Sequence, residues 1–173
     1  DLNSGKRGNR NVLLRSLIQL LTGAEDCLIV NNNAAAVFLC LNQFAKDKEV
    51  LVSRSELIEI GGSFRIPDIM KSSGCFLKEV GTTNCTRLSD YEDNINEQTA
   101  LIFKAHQSNY YISGHTESVE IEVLSILIKK YHLPFIYDIG SGLLKNTGVS
   151  YTKNEPNVCD CLDKGVDLIT FSG

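Results

Sequence analysis

An α/β fold, with a mostly parallel sheet covered by helices on both faces, is predicted by three features of this chain. Short apolar runs alternate with segments of helical period from end to end. The apolar run 135–137 leads straight into Asp138-Ile139-Gly140-Ser141-Gly142, and a second run at 167–171 stops at Ser172-Gly173. In folds of this class the carboxyl ends of the strands face a crevice that takes ligands, so an acidic residue there points at chemistry.

The elements follow in order. Residues 11–22 place Val12, Leu13, Leu17, Ile18, Leu20 and Leu21 largely on one helical face, stopped by Gly23. The run 26–30 reads as a strand buried on both faces. A helix at 34–45 comes next, then strand 49–53, helix 67–72 and strand 76–80. Helix 88–94 and strand 100–105 repeat the alternation. Helix 118–132 carries Val119, Val123, Leu124, Leu127 and Ile128 at helical spacing, and Pro134 separates it from strand 135–137. Helix 158–164 and strand 167–171 complete the pattern. Right-handed crossovers between such strands make a parallel sheet.

Composition sets bounds on this scheme. With 173 residues, 43% hydrophobic and 22% charged, the chain buries one full core and reads as one domain. Both ends look cut, since the first residues are polar and the last strand has no helix after it. A net charge of -4 argues against a broad nucleic-acid face, because phosphate contacts need clustered Lys and Arg. The six cysteines are Cys27, Cys40, Cys75, Cys85, Cys159 and Cys161. Only Cys159 and Cys161 are close, too close for the usual zinc or redox pairs, so reduced structural thiols, no metal site and a cytoplasmic location are expected. No apolar run reaches the roughly 18–20 residues of a membrane span, and no signal core is visible.

Four positions carry candidate chemistry. Asn32, Asn33, Ala34 and Ala35 open a helix after an apolar run. They form either a phosphate cup, with first-turn amides open to an anion, or an ordinary capped helix packed tightly on the sheet. Asp138, at a strand's carboxyl end, either holds a proton on a pyridine nitrogen, binds a metal, or caps Gly140 and Gly142. Asn109, a few residues past strand 100–105, either donates to a phenolate oxygen or closes an Asx turn. His106 either stacks on or titrates near a cofactor, or is a satisfied loop histidine.

The order of these pieces resembles the large domain of pyridoxal-phosphate enzymes of the aspartate aminotransferase fold. The detailed strings resemble one family within it, the bacterial selenocysteine synthases or L-seryl-tRNA(Sec) selenium transferases. The matching strings are NNNAAAV at 31–37, ELIEIGGSFRIPDI at 56–69, VGTTN at 80–84, SNY at 108–110, DIGSG at 138–142 and FSG at 171–173. The GGSFRIPD string is the specific one, whereas the Asp138 and Asn33 features recur through pyridoxal enzymes.

That resemblance implies a reaction and a set of roles. Seryl-tRNA(Sec) would lose its α-proton and then water on the cofactor, and take selenium from selenophosphate. Asn32, Asn33, Ala34, Ala35 and Ser172 would hold the cofactor phosphate, Asn109 would meet its phenolic oxygen and Asp138 its ring nitrogen. The Schiff-base lysine is expected just after Gly173, since Lys153 and Lys164 precede the final strand rather than follow it. Arg7 and Arg10 resemble the family's arginine-bearing entry to the active site, where a guanidinium fork suits an oxyanion such as selenophosphate; the bland alternative is a solvated polar terminus. After VGTTN the family carries an arginine, yet residue 85 is Cys, so that role is lost or passes to Arg87.

The resemblance further implies a partial large domain spanning 1–173, with the tRNA-binding region and the C-terminal domain lying outside it. The tRNA would be held by a segment not in this chain. A homo-oligomer built from dimers is expected, with residues 1–22 as the candidate surface because a polar Gly/Arg segment leads into a leucine-rich helix. Two other readings share the architecture: a pyridoxal-phosphate lyase acting on a small amino acid or amino-sugar acid, and an inactive, cofactor-free assembly module.

Overall fold

The computed structural model describes residues 12–60, 64–146, 148–152 and 155–173. Arg7 and Arg10, on which the oxyanion expectation rests, lie outside the described residues, as does Lys153.

Five strands form one parallel sheet. They are β1 (Glu49–Ser53), β4 (Phe76–Val80), β5 (Thr99–Ala105), β6 (Phe135–Gly140) and β7 (Leu168–Phe171), in the order β4-β1-β5-β6-β7. A two-stranded antiparallel hairpin, β2 (Glu59–Ile60) with β3 (Phe64–Arg65), stands apart from it. The helices are α1 (Val12–Thr22), α2 (Asn33–Ala45), α3 (Ile66–Ser73), α4 (Leu88–Glu92), α5 (Ile121–Tyr131) and α6 (Val158–Asp163).

Strand periodicity divides the core in two. Val50 and Val52 of β1, Leu101 and Phe103 of β5 and Ile136 of β6 face one side, where Val37 and Leu41 of α2 and Ile66 and Met70 of α3 cover them. Leu51, Ile102, Phe135, Tyr137 and Ile139 face the other side, under Tyr91 of α4, Leu124 and Ile128 of α5 and Cys161 of α6. Neighbouring residues of one strand are therefore buried against different helices, which explains why these strands read as continuous apolar runs. Each fully buried Leu, Ile or Phe contributes roughly 1.5–3 kcal/mol relative to exposure.

Helix boundaries have local causes. Pro67 sits in the first turn of α3, where its missing N–H is not needed, and Gly74 ends that helix with a left-handed φ of 82°. Asn32 caps α2, its side chain accepting from Ala35 N at 2.8 Å. Asn157 caps α6 in the same way, accepting from Asp160 N at 3.0 Å.

The run 26–30 corrects the sequence reading. It is not a strand: Leu28 is 70% exposed and no ladder partner exists for it among the described residues. Asp26 is instead drawn into a paired contact with Arg15 of α1 through both carboxylate oxygens. An apolar run becomes a strand only where a neighbour takes its backbone groups. Hairpin β2–β3 was missed for the opposite reason, since two residues per strand give no visible alternation. Helix α1 forms as expected, but its leucines are outside any core, with Leu13 83% and Leu20 82% exposed. None of the described helices is long and apolar enough to cross a membrane, and the six cysteines are free thiols.

One buried ion pair ties the strand ends together. Lys104 Nζ of β5 lies 2.5 Å from Glu56 Oε1, with side chains only 12% and 6% exposed. Glu56 Oε2 also accepts from Ala105 N at 3.3 Å. Lys104→Met is expected to cost about 3–5 kcal/mol, because it strands a buried carboxylate, whereas adding Glu56→Gln should recover a large part of the loss. Chemical denaturation of the two variants checks this, and equal losses would show that the pair is not coupled.

Candidate functional site

Four elements converge where β6 ends. Asp138 is 2% exposed, and its Oδ1 accepts from Asn33 Nδ2 of α2 at 2.8 Å and from Gly140 N at 3.1 Å. Its backbone carbonyl accepts from His106 N at 2.8 Å, and Thr170 of β7 is its register partner on the other side. The carboxylate is thus fixed by the helix start, the following turn and both neighbouring strands.

The turn after Asp138 requires its glycines. Gly140 has a φ of 69°, in the left-handed region that side chains avoid. A Cβ on Gly142 would lie 2.5 Å from Ser172 O, closer than any real contact, so the 138–142 turn and the end of β7 touch through backbone. Ser172 N donates to Gly140 O at 3.0 Å on the same seam. Ser172 and Asp138 therefore belong to one local structure.

Unpaired oxygens concentrate here. Five buried side-chain oxygens of the described residues lack a hydrogen-bond partner, and four of them, Asn33 Oδ1, Asp138 Oδ2, Ser141 Oγ and Thr170 Oγ1, belong to this strand end. Each such group costs about 1–3 kcal/mol if nothing meets it. Burial pushes the Asp138 carboxyl above its ordinary range, and the Asn33 amide, the Gly140 N–H and the nearby Thr170 hydroxyl, which falls short of a well-formed hydrogen bond, pull it back only in part. A cationic N–H donor is the partner that fits Oδ2, because it supplies both the missing hydrogen bond and the missing charge. The donor set thus fits a protonated heteroaromatic nitrogen.

The start of α2 adds an anion-binding feature. The Ala35 amide is taken by the Asn32 side chain and the Ala36 amide by Asn32 O at 3.2 Å. The amides of Asn33 and Ala34, in the first turn, have no partner within the helix, and the helix dipole favours an anion beside them. Of the expected cup, Ala35 contributes its amide to the cap rather than to the opening.

The loop after β5 is clamped on its far side. Gln107 Nε2 donates to Ser55 O at 2.7 Å, Tyr110 OH donates to the same carbonyl, and Asn109 Nδ2 donates to Glu59 O at 2.8 Å. Asn109 is exposed and turned toward hairpin β2–β3, and among the described residues its second amide hydrogen meets no acceptor. His106 is partly buried, with Nε2 3.3 Å from Glu155 Oε2. Arg87 is engaged by Glu117 at 2.8 Å. Cys85 is buried, with Asn84 Nδ2 3.3 Å from its sulfur. Lys164 pairs with Glu122 at 3.0 Å, on α5 and away from the end of β7.

Sequence reasoning missed Thr170, Ser141, Glu155 and the clamp formed by Ser55, Glu56, Lys104, Gln107 and Tyr110. A signal existed for two of them: Lys104 is a charge within an apolar strand, and Thr170 is a hydroxyl within an apolar run beside Asp138. Ser55 and Glu155 sit in polar loop sequence that marks nothing, whereas Tyr110 was read only as part of the SNY string.

The chain matches the family model described as L-seryl-tRNA selenium transferase over residues 1–173. It is 57% identical over 172 residues to the L-seryl-tRNA(Sec) selenium transferase of Campylobacter fetus, covering 99% of this chain and 39% of that one. It therefore spans about two fifths of the length of that curated relative. Among solved structures it resembles D-glucosaminate-6-phosphate ammonia-lyase, with a TM-score of 0.76 at 20% identity over 98% of this chain and 46% of that one. It also resembles a cystathionine gamma-lyase from Lactobacillus plantarum complexed with L-serine, with a TM-score of 0.62 at 22% identity over 91% of this chain and 36% of that one. At these identities the two structures establish the fold and no more.

The raised Asp138 carboxyl has a signed consequence. Between the ordinary value of 3.8 and the raised native value, the folded state holds the extra proton, so stability falls as pH rises through that window. Asp138→Asn keeps an oxygen to accept from Asn33 and Gly140 and removes the buried charge. In cofactor-free full-length protein it should raise Tm at pH 7, and the gain should vanish as pH falls below the ordinary range. Thermal melts across pH check this; a lower Tm for the variant at pH 7 would show that the carboxylate is stabilising.

Proposed function

The chain belongs to the L-seryl-tRNA selenium transferase family, and we propose that the protein it forms part of converts seryl-tRNA(Sec) to selenocysteyl-tRNA(Sec), using pyridoxal phosphate and selenium from selenophosphate. The observation that carries this reading is the buried, half-paired Asp138 carboxylate among unpaired oxygens at the end of β6. When bound, pyridoxal phosphate supplies an electron sink for the pair left on the α-carbon as its proton departs.

Each residue of the chain has a defined share. Asp138 Oδ2 accepts the ring N–H and keeps that nitrogen protonated, and Asn33 orients the carboxylate by its 2.8 Å hydrogen bond. The free amides of Asn33 and Ala34 hold the cofactor phosphate, with the Ser172 hydroxyl, while Asn32 and Ala35 keep the helix start rigid. Asn109 gives its second amide hydrogen to the phenolic oxygen while Glu59 O holds the first. His106, anchored through its backbone to Asp138, covers the ring or moves a proton beside it. Arg7 and Arg10 are assigned the selenophosphate oxyanion, and the Schiff-base lysine is assigned to the position just after Gly173.

The remaining assignments complete the reading. Residues 1–173 form part of a cofactor-binding large domain, and the tRNA body is held by another segment, in keeping with the net charge of -4. The protein works in the cytoplasm.

Full-length protein should turn over seryl-tRNA(Sec) with selenophosphate and leave free small amino acids untouched. Asp138→Asn should lower that turnover by about 10²–10⁴-fold while folding is retained, a loss of the size expected when a group governing proton transfer is removed. Conversion of free amino acids in place of the tRNA ester would favour the lyase reading, and near-normal turnover of the variant would reduce Asp138 to a cap.

The exposed leucines of α1 are assigned to a homo-oligomer built from dimers. Leu13 and Leu20 are more than four-fifths exposed, at 83% and 82%, which a soluble monomer rarely tolerates along one helix. Leu17→Asp and Leu20→Asp should therefore dissociate the full-length protein and abolish activity together, as read by light scattering and turnover. An active monomer would refute the assignment.

A further inference from the structure

The loop that carries Asn109 is exposed at 108–110, yet it is held between two buried supports. On one side β5 keeps its neighbouring strand: Ala105 pairs in register with Asp138, and His106 N donates to Asp138 O at 2.8 Å. Ser108 Oγ lies 3.6 Å from the position a Cβ on Gly140 would take, so the loop touches the 138–142 turn directly. On the other side β5 outruns β1, whose register with it ends at Leu51 and Ile102. Buried residues after β1 replace the missing strand there.

Ser55 and Glu56, both buried, form that replacement. Glu56 Oε2 accepts from Ala105 N at 3.3 Å while its other oxygen holds Lys104. Ser55 Oγ shares a hydrogen bond with Ser53 Oγ at 2.8 Å, and Ser53 Oγ reaches Thr86 Oγ1 at 2.7 Å. Ser55 O then receives two side chains of the loop, Gln107 Nε2 at 2.7 Å and Tyr110 OH. Burial and the neighbouring Glu56 push the Tyr110 hydroxyl above its ordinary range, so it remains a donor in alkaline solution as well. Asn109, between them, gives one amide hydrogen to Glu59 O at 2.8 Å. Water would satisfy the same exposed groups, so these bonds fix the geometry of the loop more than they add stability.

We propose that Gln107 and Tyr110 are positioning residues for Asn109: by bracketing it on one buried carbonyl they aim its second amide hydrogen, which meets no acceptor among the described residues, at the phenolic oxygen of pyridoxal phosphate. The assignment rests on the reading that the protein uses that cofactor, and it extends the reading to two side chains that act through Asn109. An amide hydrogen on the phenolic oxygen draws charge from it and lowers the pH at which the bound cofactor gives up its proton. Loss of aim therefore has a spectroscopic signature that loss of stability does not. The charged groups around the loop are Lys104 and Glu56 beneath it, Glu59 and Arg65 on the hairpin, Glu117 and Arg87 across from Gln107, and His106, Glu155 and Asp138 toward the crevice. Gln107→Leu and Tyr110→Phe change none of them.

Full-length protein loaded with pyridoxal phosphate is titrated with pH while the visible absorbance of the bound cofactor is followed. Asn109→Ala should raise the midpoint by about one to two pH units, the size expected for losing a hydrogen bond to a charged oxygen. The double variant Gln107→Leu, Tyr110→Phe should raise it nearly as far, and should add nothing once Asn109→Ala is present. An unmoved midpoint in the double variant, or an equal shift with Asn109 already removed, would overturn the proposal. Should the double variant fail to fold, Tyr110→Phe alone, at a position 39% exposed, is judged by the same two outcomes. A visible band that never forms in the native protein sinks the cofactor reading, whereas a band whose midpoint ignores both side chains sinks the positioning role alone.

Discussion

Asn33 and Asp138 stand 105 positions apart, and the 2.8 Å hydrogen bond between them sets where α2 begins relative to the end of β6. The chain has to close a long loop to form it, and the two valines of β1 together with Leu101, Phe103 and Ile136 provide the packing that makes closure favourable. Once it is made, the free first-turn amides of α2 and the free oxygen of Asp138 lie at one end of the sheet. The glycines at 140 and 142 follow from the same constraint, because β6 must turn at once to clear β7. The site is therefore a by-product of how two core elements are joined.

Two electrostatic effects oppose each other at Asp138. The positive end of α2 favours an anion by typically 0.3–1 kcal/mol, whereas removing a carboxylate from water costs several kcal/mol even after relaxation. Desolvation wins, and the carboxyl is pushed up. A fold selected for stability alone would place an apolar side chain there. Its own unpaired oxygen and three more around it, among the described residues, indicate that this strand end is organised toward a donor from outside the chain.

Much of this was legible in the sequence, and the remainder has definite physical reasons. The alternation of elements, the Asn32 cap and Asp138 at a strand end could be read because each depends on residues adjacent in sequence. The failure at residues 26–30 came from a partner that sequence period cannot supply, and hairpin β2–β3 was too short to carry a period. Lys104 and Glu56 are 48 positions apart, so the charge within β5 was visible but its partner was not. Asn109 was found by its place after β5, yet its orientation toward Glu59 depends on that same hairpin. Arg7 and Arg10 remain outside the described residues.

The distribution of charge around the strand ends separates two ways of holding an anion. Arg54 is paired with Glu79, Arg65 with Glu59, Arg87 with Glu117 and Lys104 with Glu56. These basic groups are already neutralised by neighbours, three of them at exposed positions where the pair adds little stability but does reduce the local field. Arg87 cannot take over the role of an arginine at position 85 without leaving Glu117, and Cys85 itself bears no charge to offer while it is a buried thiol. A phosphate bound here must then rely on the backbone amides and dipole of α2, which are fixed in place and cannot be drawn off by a competing carboxylate. A mobile oxyanion substrate needs guanidinium groups that are not so engaged, and on the proposed function this favours the helix start for the cofactor phosphate and a separate arginine-bearing segment for the selenium donor.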